Sequence, residues 1–337
     1  MFKRILFFTL LSFLMLSCIK DSLDDCDRSL RLQFRYLHNN QSQDLLTEQV
    51  QDIRVYLFDQ NTGVLVNIIP VGVQDIALGY VDVDVNEGLY TAVAWGGSSI
   101  NMMQGGYRDA TATNPATNTY APIAIGTTTL EQFRMILTYN PLSGNSFAQV
   151  APQKEDFDDL FFAIAEDISV AGWNKQIVPL DLIKNTSTLK VVATGFEHLR
   201  SRALSDIPVD IFTTGKNWLY TYNNAPDIYT PRMIYRPYDA TLGANNTIEI
   251  FIKQQRLNIN QSVTEPVLLY IRNTDSNTNI IAPIDLISAI RQNPNYLTQS
   301  AIDREDLFVI EVSILHDLEV VIVINGWKVV ILDPLPV

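Results

Sequence analysis

The side chains that could carry out chemistry are few and widely separated. The chain has two cysteines, Cys18 and Cys26, and three histidines, His38, His198 and His316. A structural zinc site usually takes four Cys or His ligands at short spacings, which this set does not provide. The sequence also has no nucleophile elbow, no P-loop and no His-Glu-x-x-His motif. We therefore predict no enzyme activity, no cofactor and no metal site, which leaves the cysteine thiols as the groups of interest.

Cys18 stands where a secretory signal would end. Lys3 and Arg4 supply the positive start of such a signal, and the apolar run from Ile5 to Leu16 follows them. This run is shorter than the roughly 20 residues that a bilayer span needs. It therefore predicts a signal peptide over residues 1–17 and not a transmembrane helix.

The segment Met15-Leu16-Ser17-Cys18 resembles the bacterial lipobox, in which a small residue precedes a cysteine and aliphatic residues lie upstream. Met15 departs from the Leu that is more usual there. The match predicts cleavage between Ser17 and Cys18 and attachment of acyl chains, such as palmitate, to the Cys18 thiol. The alternative is an ordinary signal peptide with an incidental cysteine. If Cys18 is acylated, Cys26 has no partner for an internal disulfide.

Acylation predicts where the chain resides. One acyl chain anchors a protein only marginally, whereas two or three hold it on a membrane almost permanently. Residues 18–28 are short, polar and acidic and would suit a tether. Lys20 followed by acidic residues resembles the surface-export signal of Bacteroidetes lipoproteins, although a tether without an address fits equally well. We expect a surface-exposed lipoprotein of the outer membrane.

Composition argues for a folded protein that does not bind nucleic acid. The 337 residues are 47% hydrophobic and 18% charged, which is typical of globular domains and not of disordered chains. With 24 basic and 37 acidic residues the net charge is −13, whereas a protein that grips phosphates should present a basic face.

The first half of the chain has the period-two pattern of β-strands. Residues 30–36 and 81–86 alternate apolar and polar side chains. In residues 53–58, Ile53, Val55 and Leu57 alternate with Arg54, Tyr56 and Phe58, and after a turn at 87–88 the residues 90–95 run back as the next strand. This alternation predicts half-buried antiparallel strands of a sandwich. Residues 96–122 are rich in Gly, Asn, Thr and Ala, which predicts a long loop that could be a contact surface. Residues 130–138 fit either a strand or a helix.

A second series of strands follows the polar segment 184–187. The pattern predicts strands at residues 189–194, 207–213, 247–253, 267–273 and 308–315. Pro283 would start a helix that carries Leu286, Ile287 and Ile290 on one face. The expected fold is therefore all-β, with an N-terminal β-sandwich domain over residues 29–184, a C-terminal one over 185–337, and a short helical insertion in the second.

The tail carries the sharpest feature. Residues 318–332 read as a strand, an Asn-Gly turn and a second strand, all strongly apolar and β-branched. One interpretation is a closing hairpin of the second domain. The other is strand addition to a partner, since main-chain hydrogen bonds would give affinity and alternate side chains specificity. The candidate contact residues are Leu318, Val320, Ile322, Ile324, Trp327, Val329 and Ile331.

Four stretches in this order and spacing resemble the FimB-like fimbrial anchor family of Bacteroidales type V pili. They are residues 17–26 around Cys18, residues 55–63 with Val55-Tyr56-Leu57-Phe58-Asp59 and Gly63, residues 88–96, and residues 322–327 with Asn325-Gly326-Trp327. The resemblance covers nearly the whole chain. It implies two transthyretin-like β-sandwich domains in a lipoprotein that fixes a fimbria to the outer membrane and limits its length.

The resemblance also implies a partner. Shaft precursors of such pili are cut at an Arg after the first strand region, which opens a groove for the next subunit's C-terminal strand. Arg28, Arg35 and Arg54 would be the possible sites here. An anchor keeps its lipidated first strand, so we expect the segment 318–332 to contact or complete the basal shaft subunit.

Two other classes of protein stay open on the sequence. A fimbrial shaft subunit, tip subunit or adhesin would use the 96–122 segment as its binding surface. The same class would add the aromatic cluster to that surface, namely Trp218, Tyr220, Tyr222, Tyr229, Tyr235 and Tyr238, although packing in the core and loops is the favoured account of this cluster. The other class is a surface lipoprotein that captures glycans, which would bind polysaccharide and have no fimbrial partner.

Overall fold

The computed structural model describes residues 29–97, 103–108, 120–137, 140–141, 147–149, 159–171, 174–198, 209–217, 219–227, 232–243, 246–260, 265–317 and 319–329. Eight candidate residues that the sequence analysis singled out lie outside these ranges, namely Ser17, Cys18, Cys26, Arg28, Trp218, Tyr229, Leu318 and Ile331. None of the helices in the described ranges is long and apolar enough to cross a membrane.

Strands dominate the first half of the chain. In chain order its elements are β1 Ser29–His38, α1 Leu46–Gln49, β2 Ile53–Asp59, β3 Leu65–Val71, α2 Val73–Leu78, β4 Tyr80–Asp84, β5 Gly88–Gly97, β6 Met103–Arg108, β7 Tyr120–Pro122, β8 Phe133–Leu137, β9 Asn140–Pro141, β10 Phe147–Gln149, β11 Leu160–Val170 and β12 Gln176–Lys184.

The second half is also mostly strands, with its helices grouped before β22. Its elements are β13 Thr186–Thr194, β14 Val209–Gly215, β15 Leu219–Thr221, β16 Arg232–Tyr235, β17 Pro237–Gly243, β18 Thr247–Gln255, β19 Leu268–Asn273, β20 Thr278–Asn279, β21 Ile284–Asp285, α3 Leu286–Ile290, α4 Gln299–Asp303, β22 Leu307–Ile314, β23 Val320–Ile324 and β24 Trp327–Val329. Short 3-10 turns span Phe196–His198 and Pro294–Tyr296. The predicted all-β fold with a helical insertion in the second half is confirmed.

The strands form four sheets, which we name here. The N-terminal sheet has the order β3-β2-β5-β11-β12-β1-β4, and the hairpin sheet has the order β17-β18-β13-β22-β23-β24. The facing sheet has the order β20-β19-β14-β16-β10-β9, with β21 also on β19, and the bridging sheet has the order β15-β8-β6-β7.

The N-terminal sheet is curled around its own core. Its two edge strands, β3 and β4, are joined only by α2 and two flanking residues, which span at most roughly 22 Å. Seven strands in a flat sheet would separate the edges by roughly 29 Å. The sheet therefore closes over the side chains of one face, which form one cluster with Leu46 of α1 and Ile76 of α2.

The other face of this sheet is buried as well. Tyr56, Phe58, Val93, Trp95 and Phe162 alternate with the first cluster and belong to a second core that continues through the C-terminal half. The expectation of half-buried strands is therefore wrong for β2 and β5. Because the bridging sheet lies over their second face, these strands have no solvent face to carry polar residues.

Strand direction also differs from the prediction in places. β1 pairs with β12, β13 with β22, and β10 with β16, all in parallel, whereas the prediction was antiparallel throughout. Alternation of side chains reports which face is buried and not the direction of the neighbouring strand, so the pattern could not have distinguished the two.

Two local predictions are corrected, and a third segment that the sequence left undecided is assigned. The segment 96–122 is not a loop throughout, because β6 pairs with β8 and β7 within the bridging sheet. The undecided segment 130–138 contains strand β8. Pro283 does not open the helix, which begins at Leu286 with Asp285 as its N-cap; the Asp285 carboxylate accepts a hydrogen bond from the Ser288 N–H.

A charged cluster lies where the two halves meet. β12 ends at Lys184 and β13 begins at Thr186, on either side of the predicted boundary. Lys184 Nζ lies 3.0 Å from Asp159 Oδ2 and 2.9 Å from Asp306 Oδ1, and its side chain is only 8% exposed. Lys253 Nζ lies 2.7 Å from Asp159 Oδ1. The cluster thus connects both halves, and the division into two domains stays a prediction because they also share a core.

Removing the central cation should destabilise the fold. Substitution Lys184→Ala leaves carboxylates that are largely removed from water with less compensation, so we expect a loss of about 3 kcal/mol in the free energy of unfolding. The matched control is Lys190→Ala, which breaks a more exposed pair with Glu249 and should cost less than about 1 kcal/mol. Equal losses in urea unfolding would contradict the role of this cluster.

The same cluster predicts a pH dependence. Burial alone would raise the pKa of Asp159, but Lys184 and Lys253 outweigh it and hold the pKa below its ordinary value of 3.8. The ionised carboxylate therefore stabilises the fold above that value, and this contribution is lost as the pH falls through the folded-state pKa. Acid unfolding curves should show a smaller loss below pH 4 in Lys184→Ala than in the wild type.

Candidate functional site

The C-terminal hairpin, residues 319–329, is the candidate site that the sequence singled out. Its first strand, β23, pairs antiparallel with β22 from Ile310–Ile324 to Ile314–Val320. Its second strand, β24, pairs with β23 through Trp327, Lys328 and Val329. Of the predicted contact residues, the structure brings Val320, Ile322, Ile324, Trp327 and Val329 together here.

The turn of this hairpin is held by side-chain hydrogen bonds. Asn325 and Gly326 have φ angles of +46° and +77°, the left-handed region that a two-residue turn of this type requires. The Val309 N–H donates to Asn325 Oδ1 at 2.7 Å, and the Asn325 N–H donates to the Val309 carbonyl at 2.9 Å. Asn325 is therefore bonded to β22 through both its backbone and its side chain.

The helical insertion also holds the turn. Asn325 Nδ2 donates to the Tyr296 hydroxyl at 2.8 Å, and that hydroxyl donates to Glu305 Oε2 at 2.6 Å. Burial and the Glu305 carboxylate raise the pKa of Tyr296. Sequence reasoning missed Tyr296 and Glu305, because nothing in the spacing of these residues indicates that they meet Asn325.

One face of the hairpin belongs to the core. Ile322, Ile324 and Val329 are 0%, 1% and 4% exposed and pack in the cluster between the sheets. Withdrawing β23 would remove two of these side chains from the core, and truncating a single buried Ile already costs about 2–5 kcal/mol. The arrangement therefore favours β23 staying in place and leaves the outer edge of β24 for contact with a partner.

That outer edge has the chemistry of a strand-addition site. Within the described part of the chain, β24 pairs only with β23. The turn closes on the Ile324–Trp327 pair, so the alternation of an antiparallel ladder directs the N–H and C=O of Lys328 away from β23. The Trp327 side chain beside this edge is 43% exposed. Exposed tryptophans are frequent anchors of protein interfaces.

The first strand is firmly built into the N-terminal sheet. β1 lies between β12 and β4, and Leu30, Leu32, Phe34 and Tyr36 are buried. At its end, His38 Nε2 lies 3.1 Å from the Ser300 carbonyl of α4. β1 is therefore an inner strand that reaches the C-terminal half.

Of the three arginines considered as cleavage sites, the two that the structure describes lie within strands. Arg35 lies within β1, where its Nε donates to Asp181 Oδ1 at 2.8 Å, and Arg54 lies within the paired strand β2. Proteases cut exposed, flexible segments, so neither position suits cleavage of the folded chain. Arg28 lies outside the described ranges.

The aromatic cluster is largely core. Tyr220 and Tyr235 are 0% and 1% exposed, and burial raises the pKa of both phenols. Tyr220 packs against Trp95 with ring centroids 5.7 Å apart, while Tyr222 and Tyr238 are only partly buried. Trp218 and Tyr229 lie outside the described residues. For these two buried tyrosines the favoured account, core packing, holds, and they cannot stack on a sugar at the surface.

No metal chemistry is evident in the part of the chain that the structure describes. There, no group of three His, Cys, Asp or Glu side chains is placed to hold a metal ion. The hairpin and its edge can form main-chain hydrogen bonds and apolar contacts, which is the chemistry of a protein interface.

Comparison with known proteins identifies relatives. A family model described as fimbrillin-A associated anchor proteins Mfa1 and Mfa2 matches residues 23–333. A comparison with curated protein sequences gave no significant match.

Solved structures share the fold. The fimbrial anchor protein Mfa2 from Porphyromonas gingivalis has a TM-score of 0.64 at 17% identity, over 89% of this chain and 98% of that one. A protein from Bacteroides ovatus, provisionally described as an adhesin, has a TM-score of 0.70 at 19% identity, over 89% and 94%. One from Bacteroides thetaiotaomicron, provisionally described as polysaccharide binding, has a TM-score of 0.70 at 16% identity, over 89% and 96%.

The hairpin turn can be tested directly. Asn325→Ala removes the side-chain hydrogen bonds to the Val309 N–H and to Tyr296 but keeps the backbone bond to Val309. Asn277→Ala is a matched control because Asn277 has a similar φ of +52° in an exposed turn. Backbone strain should cancel between the two, so we expect Asn325→Ala to cost about 2 kcal/mol more in unfolding free energy. Equal costs in urea unfolding would show that these bonds do not stabilise the turn.

Proposed function

The chain belongs to the family of fimbrillin-A associated anchor proteins, and we propose that it is the lipid-anchored base of a fimbria. The family assignment makes it a fimbria-associated accessory or anchor protein of the cell surface, in a family of structural proteins and not of enzymes. The proposal adds a membrane attachment, a contact with the shaft subunit and a role in limiting fimbrial length.

The membrane attachment rests on the amino end. Acylation of Cys18 after cleavage at Ser17 would place two or three acyl chains on a tether of residues 18–28, enough for stable attachment to the outer membrane. In the N-terminal sheet, β1 begins at Ser29 and runs parallel to β12 towards the junction at Lys184. The tether would therefore leave the fold from the end of the sheet that faces away from the C-terminal half.

The contact with the shaft rests on β24, the observation that carries the proposal. β24 lies at a sheet edge, has Trp327 partly exposed beside it, and belongs to the half opposite the tether. A shaft subunit that added a strand along Lys328 would extend the hairpin sheet through main-chain hydrogen bonds. Of the other candidate residues, Ile331 follows β24 in sequence and would lengthen the contact, whereas Leu318 precedes β23.

A base of this kind would also limit length. This subunit would contact the shaft at β24 and be held in the membrane at its amino end. No further subunit could then be added beyond it, so growth of the fimbria would stop there. β1, paired on both sides, supports an anchor role over a shaft role, since a shaft subunit must give up its first strand.

Strand addition can be tested at Lys328. Lys328→Pro removes an outward N–H while sparing the bonds to β23, whereas Lys328→Ala keeps the N–H and is the matched control. We expect the proline variant to bind purified shaft subunit about tenfold more weakly, equivalent to about 1.4 kcal/mol. Far-ultraviolet circular dichroism would verify folding, and undiminished binding by a folded Lys328→Pro variant would exclude pairing at this edge.

Lipidation can be tested with the two cysteines. Cys18→Ala should prevent labelling with radioactive palmitate and release fimbriae of greater length into the medium, because the acyl chains provide the attachment. Cys26→Ala is the matched control, because Cys26 lies eight residues after Cys18. This variant should leave the palmitate labelling and the cell-bound fimbriae unchanged. Cell-bound fimbriae of normal length in a stable Cys18→Ala strain would refute the anchor proposal.

A further inference from the structure

The outer face of the facing sheet carries a stacked aromatic pair. Ile211, Leu269 and Ile271 point into the core, so their neighbours Phe212 and Tyr270 point outward from β14 and β19. The two rings are 5.1 Å apart between centroids and only 10° from parallel. Phe212 is 5% exposed beneath its neighbours, whereas Tyr270 is partly exposed.

Two guanidinium groups lie against these rings. Arg236 Cζ is 5.3 Å from the centroid of Phe212, and Arg272 Cζ is 5.7 Å from that of Tyr270. Such contacts hold the guanidinium groups in fixed positions at the sheet surface. Lys216, which directly follows β14, and Arg232, which begins the neighbouring strand β16, complete this surface. We call it the basic-aromatic face; it consists of Phe212, Tyr270, Arg236, Arg272, Lys216 and Arg232.

The ion pairs of this face leave an excess of positive charge. Arg236 Nη1 binds both carboxylate oxygens of Asp210 at 2.7 and 2.8 Å. Arg232 and Lys216 share one carboxylate, Glu265, at 3.0 and 2.8 Å. Arg272 Nε donates to the neutral amide oxygen of Asn279 at 3.1 Å. Among the described residues, three of these cations thus share two carboxylates and the fourth, Arg272, has a neutral partner, in a chain whose net charge is −13.

The cations of this face remain within reach of solvent. The side chains of Arg236, Arg232 and Lys216 are 33%, 18% and 21% exposed. A guanidinium has five N–H donors, more than its observed partners use, so it can donate to a second anionic group while it keeps its first partner. The face can therefore bind an anion while its own ion pairs persist.

From this geometry we propose that the basic-aromatic face binds an acidic glycan, a sugar polymer that bears carboxylate or sulfate groups. The apolar face of a sugar ring can pack on the partly exposed Tyr270, and the planar fork of Arg272 or Arg236 fits a carboxylate or sulfate. An acidic peptide fits less well, because β14 and β19 are both paired on two sides and offer no edge for strand addition. This site is separate from the β24 edge.

The purified full chain in detergent should bind polygalacturonate and heparin but not neutral dextran. We expect Tyr270→Ala and Arg272→Gln each to weaken polygalacturonate binding by about tenfold, since each removes one of the two recognition elements. Arg272→Gln changes a surface side chain and should preserve the fold. It therefore keeps the test valid even if Tyr270→Ala does not fold. Binding would be measured by calorimetry at fixed ionic strength, with thermal unfolding as the check on folding.

The control residue, Lys190, lies on the hairpin sheet. Lys190 sits 5.6 Å from the Phe251 ring and pairs with Glu249 at 3.0 Å, a similar arrangement without excess charge. Lys190→Gln should bind polygalacturonate as the wild type does. The proposal is overturned if the wild type does not bind, if Tyr270→Ala and Arg272→Gln bind as tightly as Lys190→Gln, or if polyglutamate binds as tightly as polygalacturonate, which would mean an acidic-protein site.

Discussion

The structure depends on burial of both faces of the N-terminal sheet. One face closes on its own core, and the other presents Trp95, whose ring centroid lies 5.1 Å from that of Phe162 and 5.7 Å from that of Tyr220. Tyr220 belongs to the bridging sheet, which contains strands from both halves. Because this second face of the N-terminal sheet must be covered, the two halves share one continuous core. The hairpin sheet packs on that same core, through Ile322, Ile324 and Val329.

Sequence patterns predicted the strands well and their partners poorly. Alternation located β1, because a strand with one face in a core must alternate, whereas apolar runs bounded by turn residues located β2, β5, β13 and β22. The same alternation is independent of strand direction, so the parallel pairing of β1 with β12 was missed. β6 was missed because its residues, Met-Gln-Gly-Gly-Tyr-Arg, lack the β-branched side chains that usually indicate a strand.

The candidate site was predictable in part for similar reasons. The Asn-Gly turn and the apolar run around Ile322 are local signals, and both form the hairpin they indicate. The hydrogen bond from Asn325 to Tyr296 joins residues whose proximity arises only from packing of the helical insertion. The basic-aromatic face could not be predicted from the sequence, since Phe212 and Tyr270 come from two strands and Arg236 follows a third, and only the fold makes them neighbours.

The position of β1 has a mechanical consequence. A pull on residues 18–28, the proposed tether, would enter the fold at Ser29 and act along β1, which is bonded to β12 on one side and β4 on the other. Such a force loads both rows of hydrogen bonds in shear, so many bonds resist together. An edge strand pulled sideways would instead open one bond at a time, like a zipper. The entry strand is thus the kind that best withstands tension.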